Sequence, residues 1–269
     1  MGTIAISGSA SGIGAATRQL VEEAGHEVIG IDLRGAELTA DLSTVEGRTA
    51  TVDGVLAACG GRLDGLVTAA GVGPPFDPQA MCSINYFGTA ALLTGLRDAL
   101  AASGDAQVVA ISSNSTTTVP DIPADLVDAC LGDDEAAAHA ALSGVEDSVA
   151  AMSWAYAGSK LAVARFVRSN APTAEWAGSG IRLNAIAPGA TLTPLLQAGL
   201  DSEDFGPQIR DFPTPTGSFA NPGQIAAWIE FMLLGEPARF LCGSVVFVDG
   251  GTDALVRARD WPATYSLGA

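Results

Sequence analysis

The chain has a single lysine, Lys160, and its other 12 basic residues are all arginine. Those 13 cations face 30 acidic residues, for a formal net charge of −17. A balance this acidic excludes nucleic acid or an anionic membrane as a partner, because both need basic patches. Cysteine is also scarce: Cys59, Cys82, Cys130 and Cys242 form no C-x-x-C pair and are too sparse for a disulfide scaffold. Reduced thiols in a cytoplasmic protein are the expectation. The two histidines, His26 and His139, leave a hydrolase few choices of base and make no metal site. No apolar run is long enough to cross a bilayer, and the N-terminus lacks a basic, signal-type leader. Repeats and linker-like tracts are missing too. What remains is a chain of 269 residues, 48% hydrophobic, enough for a single domain around a buried sheet.

Short apolar runs alternate with helical stretches. Strands are expected over 3–7, 27–31, 37–40, 64–69, 107–112, 181–187 and 244–248. Helices are expected over 15–24, from about Thr44, over 81–102 and over 221–234. This alternation predicts an α/β fold: a single-domain, Rossmann-type, doubly wound parallel sheet of seven strands with helices on both faces. Between the first strand and helix lies Gly8-Ser9-Ala10-Ser11-Gly12-Ile13-Gly14. Glycines there let a backbone approach a pyrophosphate, which the helix N-terminus then favours. Without its flanking strand and helix the motif would be only a tight turn. Asp32 ends the second strand, where an acid binds ribose hydroxyls and repels a 2′-phosphate, so NAD is expected over NADP. Arg34, two residues on, is the one group that argues the other way. Leu33 follows Asp32 at the same rim, and Asp41-Leu42 are placed to meet the adenine. Asp41 alternatively caps the helix near Thr44. His26, at a helix-to-strand turn, reads as structural.

Tyr156 and Lys160 sit four residues apart in Ala155-Tyr156-Ala157-Gly158-Ser159-Lys160. On a helix they share a face, and a nearby ammonium favours the phenolate. The functional reading is a tyrosine tuned as general acid/base; an ordinary helix with an exposed lysine fits the same spacing. Asn85, among apolar residues, needs partners for its amide. It either has a structural role or orders a water. Ser112-Ser113 end the fifth strand, at the sheet edge where ligands collect.

Taken in order, Gly8/Gly12/Gly14, Asp32, Ala70-Gly71, Asn85, Ser113, Tyr156/Lys160, Pro188-Gly189 and Asp249-Gly250-Gly251 resemble the short-chain dehydrogenase/reductase family. Within it the resemblance runs toward the bacterial 3α-hydroxysteroid dehydrogenase/carbonyl reductases. It is carried by Ile6-Ser7-Gly8, the stretches 11–18 and 24–26, Asn85-Tyr86-Phe87-Gly88, 155–160 and 187–200. Coniferyl-alcohol dehydrogenases share much of the pattern. The resemblance implies that Tyr156 exchanges the proton on the substrate oxygen and that Ser113 holds that oxygen. It also implies that Lys160 bonds the nicotinamide ribose and lowers the Tyr156 pKa, and that Asn85 positions a water linking Lys160 to solvent. Ala70, Gly71, Pro188 and Gly189 would flank NAD, with Thr191 and Thr193 on the carboxamide.

The chain departs from the family in two places. Thr68-Ala69-Ala70-Gly71 stands where the family has Asn-Asn-Ala-Gly. Ser113 and Tyr156 are also unusually far apart, leaving an acidic, alanine-rich insertion over about 114–153. A helix is expected over 133–142, with the insertion forming one wall of the substrate pocket, or else an oligomer contact or a solvated cover. Because family tetramers use nearby helices, the insertion bears on whether the homo-oligomer is a dimer or a tetramer. The stretch 190–217 reads as an apolar lid, with Leu192, Leu195, Leu196, Phe205 and Phe212. Few cations lie there, so a hydrophobic secondary alcohol or its ketone is the expected substrate. An NAD-sensing protein on the same fold would not need the Ser113/Tyr156/Lys160 set. A serine hydrolase using Ser113 would lack a G-x-S-x-G elbow. The 252–269 extension, with Trp261 and Tyr265, is expected to reach a neighbouring subunit.

Overall fold

A computed structural model describes residues 2–261. Tyr265 lies outside the described residues. The chain alternates strand and helix from the start: β1 (Thr3–Ser7), α1 (Gly12–Glu23), β2 (Glu27–Asp32), β3 (Leu38–Thr39), α2 (Val45–Cys59) and β4 (Gly65–Thr68). There follow α3 (Pro78–Cys82), a π-turn at Ser83–Gly88, α4 (Thr89–Gly95), α5 (Arg97–Ala101) and β5 (Ala106–Ile111). The insertion carries α6 (Ser115–Thr118), α7 (Ala124–Leu131) and α8 (Glu135–Ser143). Then come α9 (Ser148–Asn170), β6 (Ile181–Pro188), α10 (Pro194–Asp201), α11 (Gly206–Arg210), α12 (Pro222–Leu234), β7 (Val245–Val248) and α13 (Thr252–Val256).

All seven strands are parallel, in the order β3-β2-β1-β4-β5-β6-β7. Their side chains alternate between two cores, because successive strand residues point to opposite faces. Ala5, Ile29, Ile31, Leu66, Val108 and Leu183 face one core, with Val55 of α2, Leu92 of α4 and Val163 of α9. Ile4, Ile6, Val28, Val67, Val109 and Ile186 face the other, with Val21 of α1 and Ile225, Ile229 and Met232 of α12. Burial on both faces explains why these strands read as continuous apolar runs. The chain works outward from β1 to β3, then crosses back to β4. The carboxyl ends of β1 and β4 therefore flank the switch point, where an open α/β sheet leaves a crevice.

Two expectations change. The helix expected over 81–102 begins earlier, at Pro78, because Asp77 caps it by accepting from Ala80 N at 2.8 Å. It is then interrupted by the π-turn. The insertion holds three helices rather than one, and α9 begins at Ser148, before the expected end of the insertion. Asp147 caps α9 by accepting from Val149 N at 2.9 Å and Ala150 N at 3.2 Å. The overlooked α7 buries Leu126, Val127 and Cys130, a helical spacing that was visible in the sequence.

Candidate active site

The crevice begins where β1 runs out. Gly8 has φ +70°, and a Cβ there would lie 2.7 Å from Ala70 N. A Cβ on Gly14 would lie 2.1 Å from Gly8 O. Side chains are excluded at both positions, so the turn is bare backbone opening onto the N-terminus of α1. Ser11 holds the capping position of that helix in extended conformation and makes no side-chain cap bond. At the next strand end, Asp32 accepts from Ala10 N at 3.0 Å and from Leu33 N at 2.7 Å. These bonds fix the carboxylate at the cavity wall, beside Leu33. Arg34 is exposed and lies outside that wall. Asp41 and Leu42 line the same end, but Asp41 is not the cap of α2. It accepts from Ser43 N at 2.9 Å to shape a turn, and Thr44 makes the cap through Gly47 N at 3.0 Å. Ala70 and Gly71 close the floor, with Ala70 N donating to Ser7 Oγ at 3.1 Å. A nucleotide needs such a cradle: no side chain where a pyrophosphate would lie, and an acid at the ribose position.

At the other end, β5 delivers two serines with different duties. Ser112 Oγ donates to Lys160 O at 2.9 Å, which ties the strand to α9. Ser113 Oγ accepts from Ser115 N at 3.1 Å and stands beside the half-buried Tyr156 phenol. Lys160 is 4% exposed, and its Nζ donates to Ile111 O at 3.0 Å. Burial pulls the Lys160 pKa down to about 8. For Tyr156 the outcome differs from expectation. Burial pushes the phenol up, and Ser113, not Lys160, is the neighbour that opposes it. The ammonium is directed onto the strand carbonyl. Asn85, fully buried in the π-turn, accepts from Val72 N and donates to Val72 O, both at 2.9 Å. Its amide also reaches Ser159 Oγ at 3.3 Å. Asn85 thus fastens the loop after β4 to α9. It is also close to Lys160, since a Cβ on Gly71 would touch Asn85 Oδ1 at 3.0 Å and Lys160 Nζ at 3.2 Å. π-turns are frequent at functional sites.

Pro188 and Gly189 follow β6, and Thr191 and Thr193 lead into the lid. Thr193 caps α10 by accepting from Leu196 N at 3.2 Å. Its methyl would lie 3.2 Å from a Cβ on Gly12, so the lid meets the glycine turn directly. The expected lid holds a pair of short helices, α10 and α11; Leu195 and Leu196 of α10, Ile209 of α11 and the flanking Phe205 and Phe212 wall this end of the cavity. Leu192 is exposed and lines none of the cavity. One continuous cavity of ≈ 440 Å³ joins the glycine turn and Asp32 to Ser113, Tyr156, Lys160, Thr191 and Thr193. Asn85 is the one sequence-predicted site residue outside its wall; it acts behind Gly71.

Sequence reasoning missed Asn114, Ser115, Thr118, Val119 and Ser153, which also line the cavity. Asn114 Nδ2 and Ser115 Oγ are buried without a hydrogen-bond partner. The insertion thus reaches the site only with its two ends, 114–119 and Ser153. Helices α7 and α8 line none of the cavity and pack instead on the body of the domain. Arg48 of α2 grips Glu135 with two bonds of 2.8 and 2.6 Å; Ser83 and His139 are 3.0 Å apart; Gln79 donates to Ser143 Oγ at 2.9 Å. His26, as expected, is structural, accepting from Gly2 N at 3.3 Å.

The chain is 43% identical to the 3-alpha-hydroxysteroid dehydrogenase/carbonyl reductase of Comamonas testosteroni, over 96% of this chain and 98% of that relative. It belongs to the short-chain dehydrogenase/reductase family. The enzyme is thus an oxidoreductase, as the order of its motifs implied. The coniferyl-alcohol dehydrogenase of Pseudomonas sp. (strain HR199 / DSM 7063) is 29% identical, covering 92% of this chain and 95% of its own. A family profile described as enoyl-(acyl carrier protein) reductase matches residues 130–253. Among solved structures, the 3-alpha-hydroxysteroid dehydrogenase of Pseudomonas sp. B-0831, complexed with NADH, superposes with a TM-score of 0.88 at 46% identity. That match covers 96% of this chain and 99% of the other.

Proposed function

We propose that this enzyme interconverts a hydrophobic secondary alcohol and its ketone with NAD. The observation that carries this reading is the shared cavity. A bare glycine turn with a fixed Asp32 carboxylate occupies one end, and Tyr156 beside Ser113 stands under an apolar lid at the other. NAD, when bound, supplies the hydride acceptor. Gly8, Ser11, Gly12, Ile13 and Gly14 would hold its pyrophosphate, Asp32 and Leu33 the adenosine ribose, and Asp41 and Leu42 the adenine. Ala70, Gly71, Pro188, Gly189, Thr191 and Thr193 would hold the nicotinamide half. Asp32 favours NAD, since its acceptor oxygens suit ribose hydroxyls and repel a phosphate.

The protein's own groups handle the proton. Ser113 Oγ already accepts from Ser115 N, which leaves its hydroxyl hydrogen for the substrate oxygen. Tyr156 takes the alcohol's proton during oxidation and returns it during reduction. Because burial raises the phenol, it rests protonated near neutrality, ready to act as the acid of ketone reduction. Lys160, cationic below about pH 8, supplies the positive field at this seam, and Asn85 fixes the loop beside it. The lid's leucines and phenylalanines exclude water from the reacting centre.

A cytoplasmic homo-oligomer completes the proposal. The described cysteines are free, and no described helix is long and apolar enough to cross a membrane. Trp228, Phe231 and Phe240 leave apolar surface exposed on and after α12. The deciding experiment follows NADH absorbance with purified protein and a panel of 3α-hydroxysteroids, coniferyl alcohol and simple cyclic alcohols, with NADP in parallel. Turnover with NAD on one class is expected. Tight NADH binding without turnover of any alcohol would point to a sensor instead.

A further inference from the structure

The turn that carries Ser113 is held from outside the cavity. Its helix, α6, has only four residues, too few to be stable alone. The threonines of α6 tie it to the residues before it. Thr116 Oγ1 donates to Ser113 O at 2.8 Å, and Thr118 Oγ1 to Asn114 O at 3.2 Å. Thr117 Oγ1 lies 3.1 Å from the same Asn114 O, but only 2.7 Å from Oδ1 of Asp253. A hydroxyl has one proton and a carboxylate is the stronger acceptor, so that proton goes to Asp253. Among the described residues this is the one side-chain hydrogen bond from α6 to another element.

Asp253 belongs to α13, and it is a fixed post. Its N–H donates to Asp249 Oδ2 at 2.7 Å, and Arg257 Nε donates to its Oδ1 at 2.7 Å. Arg257 in turn lies over the Phe247 ring of β7, 5.5 Å from its centroid. Thr252, the neighbour of Asp253, is buried, and its Oγ1 reaches Pro213 O at 2.8 Å, next to Phe212 of the cavity wall. Burial works against the Asp253 charge, yet the bonds from Arg257 and Thr117 hold its carboxyl below the ordinary range. It therefore meets Thr117 as a carboxylate. Neither Thr117 nor Asp253 lines the cavity.

We infer that Asp253 is a positioning residue: through Thr117 it fixes the turn that aims Ser113 at the substrate oxygen. The inference rests on the dehydrogenase reading above. Ser113 Oγ is itself set by the turn, since it accepts from the N–H of Ser115, the first residue of α6. A slackened turn moves that hydroxyl relative to Tyr156, and a misplacement of about 1 Å can cost on the order of 10²-fold in rate. Because both residues stand outside the cavity, their effect on turnover has to pass through the turn.

The test compares Thr117→Val, Thr117→Ser, Asp253→Ala and the Thr117→Val/Asp253→Ala double variant with the wild type. Each is assayed with NAD and the same panel of 3α-hydroxysteroids, coniferyl alcohol and cyclic alcohols, with kcat counted per NADH-binding site. Thr117→Val is expected to lose roughly 10-fold in kcat, with KM and NADH affinity within about twofold of wild type. Thr117→Ser keeps the hydroxyl and is expected to hold kcat within about twofold of wild type. Asp253→Ala is expected to match Thr117→Val, and the double variant to lose no more than the worse single one, because both changes remove one interaction. If Asp253→Ala does not fold, Thr117→Val and Thr117→Ser decide alone. An unchanged kcat in Thr117→Val, whatever happens to its melting temperature, would overturn the inference, as would losses that multiply in the double variant. In either case a wild type that oxidises an alcohol keeps the dehydrogenase reading. A wild type that turns over none of the panel would overturn that reading and the inference together.

Discussion

The two ends of the cavity are made of different material. The proposed cofactor end is mainly backbone: the turn from Gly8 to Gly14 approaches itself so closely that a single methyl would collide, and Asp32, one of the two acids there, is pinned by two main-chain N–H groups. The proposed catalytic end is side chain: Ser113, Tyr156, Lys160 and the leucines and phenylalanines around α10 and α11. A backbone cradle reads what every dinucleotide shares, and tolerates little change. A side-chain pocket can be rebuilt residue by residue while the strands beneath it stay put. The difference predicts that lesions at the two ends separate cleanly into loss of chemistry and loss of binding.

The largest effect is expected from Tyr156→Phe. Removing a general acid/base of this kind costs roughly 10²–10⁴-fold in kcat. The ring remains to pack against Gly73, so NADH affinity should stay within about twofold of wild type, measured by fluorescence titration. If this variant kept full turnover, the phenol would not be the proton-transfer group. Gly14→Ala is the counterpart at the other end. Its Cβ would lie 2.1 Å from Gly8 O, so the turn must open. We expect NADH affinity to fall by roughly 10²-fold, about 2.7 kcal/mol, while the melting temperature falls only modestly. Equal losses of binding in the two variants would erase the distinction between the ends.

This division also explains what the sequence disclosed. The glycine turn was legible because backbone geometry forces residue choice: a positive φ at Gly8 and a contact with no room for Cβ at Gly14 both demand glycine. The strands were legible because burial on both faces makes them largely apolar runs. The insertion was legible only in part: the helix expected over 133–142 is α8, but what it packs against is set by tertiary partners. Arg48 and Glu135, which hold α8 to α2, are 87 residues apart and carry no local signal of pairing. The pKa of Tyr156 was misjudged for a related reason. A four-residue spacing puts Lys160 on the same helix face, but whether its ammonium meets the phenol or the Ile111 carbonyl depends on how far β5 extends beneath α9. Asn114 and Ser115 were passed over because a Ser-Asn-Ser-Thr run looks like any polar turn until the cavity is seen beside it.

Lys160 stands where the two ends meet, and it offers the subtlest test of the comparison. Its stem and ammonium are buried, and burial lowers its pKa from the ordinary 10.5 to about 8. The unfolded chain therefore binds this proton over a pH range in which the folded chain has lost it. Stability rises with pH wherever the unfolded state binds more protons. Lys160 should thus weaken the ligand-free fold below about pH 8, with the penalty disappearing between about 8 and 10.5. Lys160→Met removes the buried charge and the bond to Ile111 O together. The lost bond costs about 1 kcal/mol and the relieved desolvation returns more. At pH 7 the variant is expected to be more stable in urea by on the order of 1–2 kcal/mol, and less active. From pH 8 upward the wild type should close that gap. Parallel stability curves over this range would mean that the burial of Lys160 leaves its proton affinity unchanged. A closing gap would show the catalytic end holding a charge at the expense of its own stability, which the backbone-built cradle does not have to do.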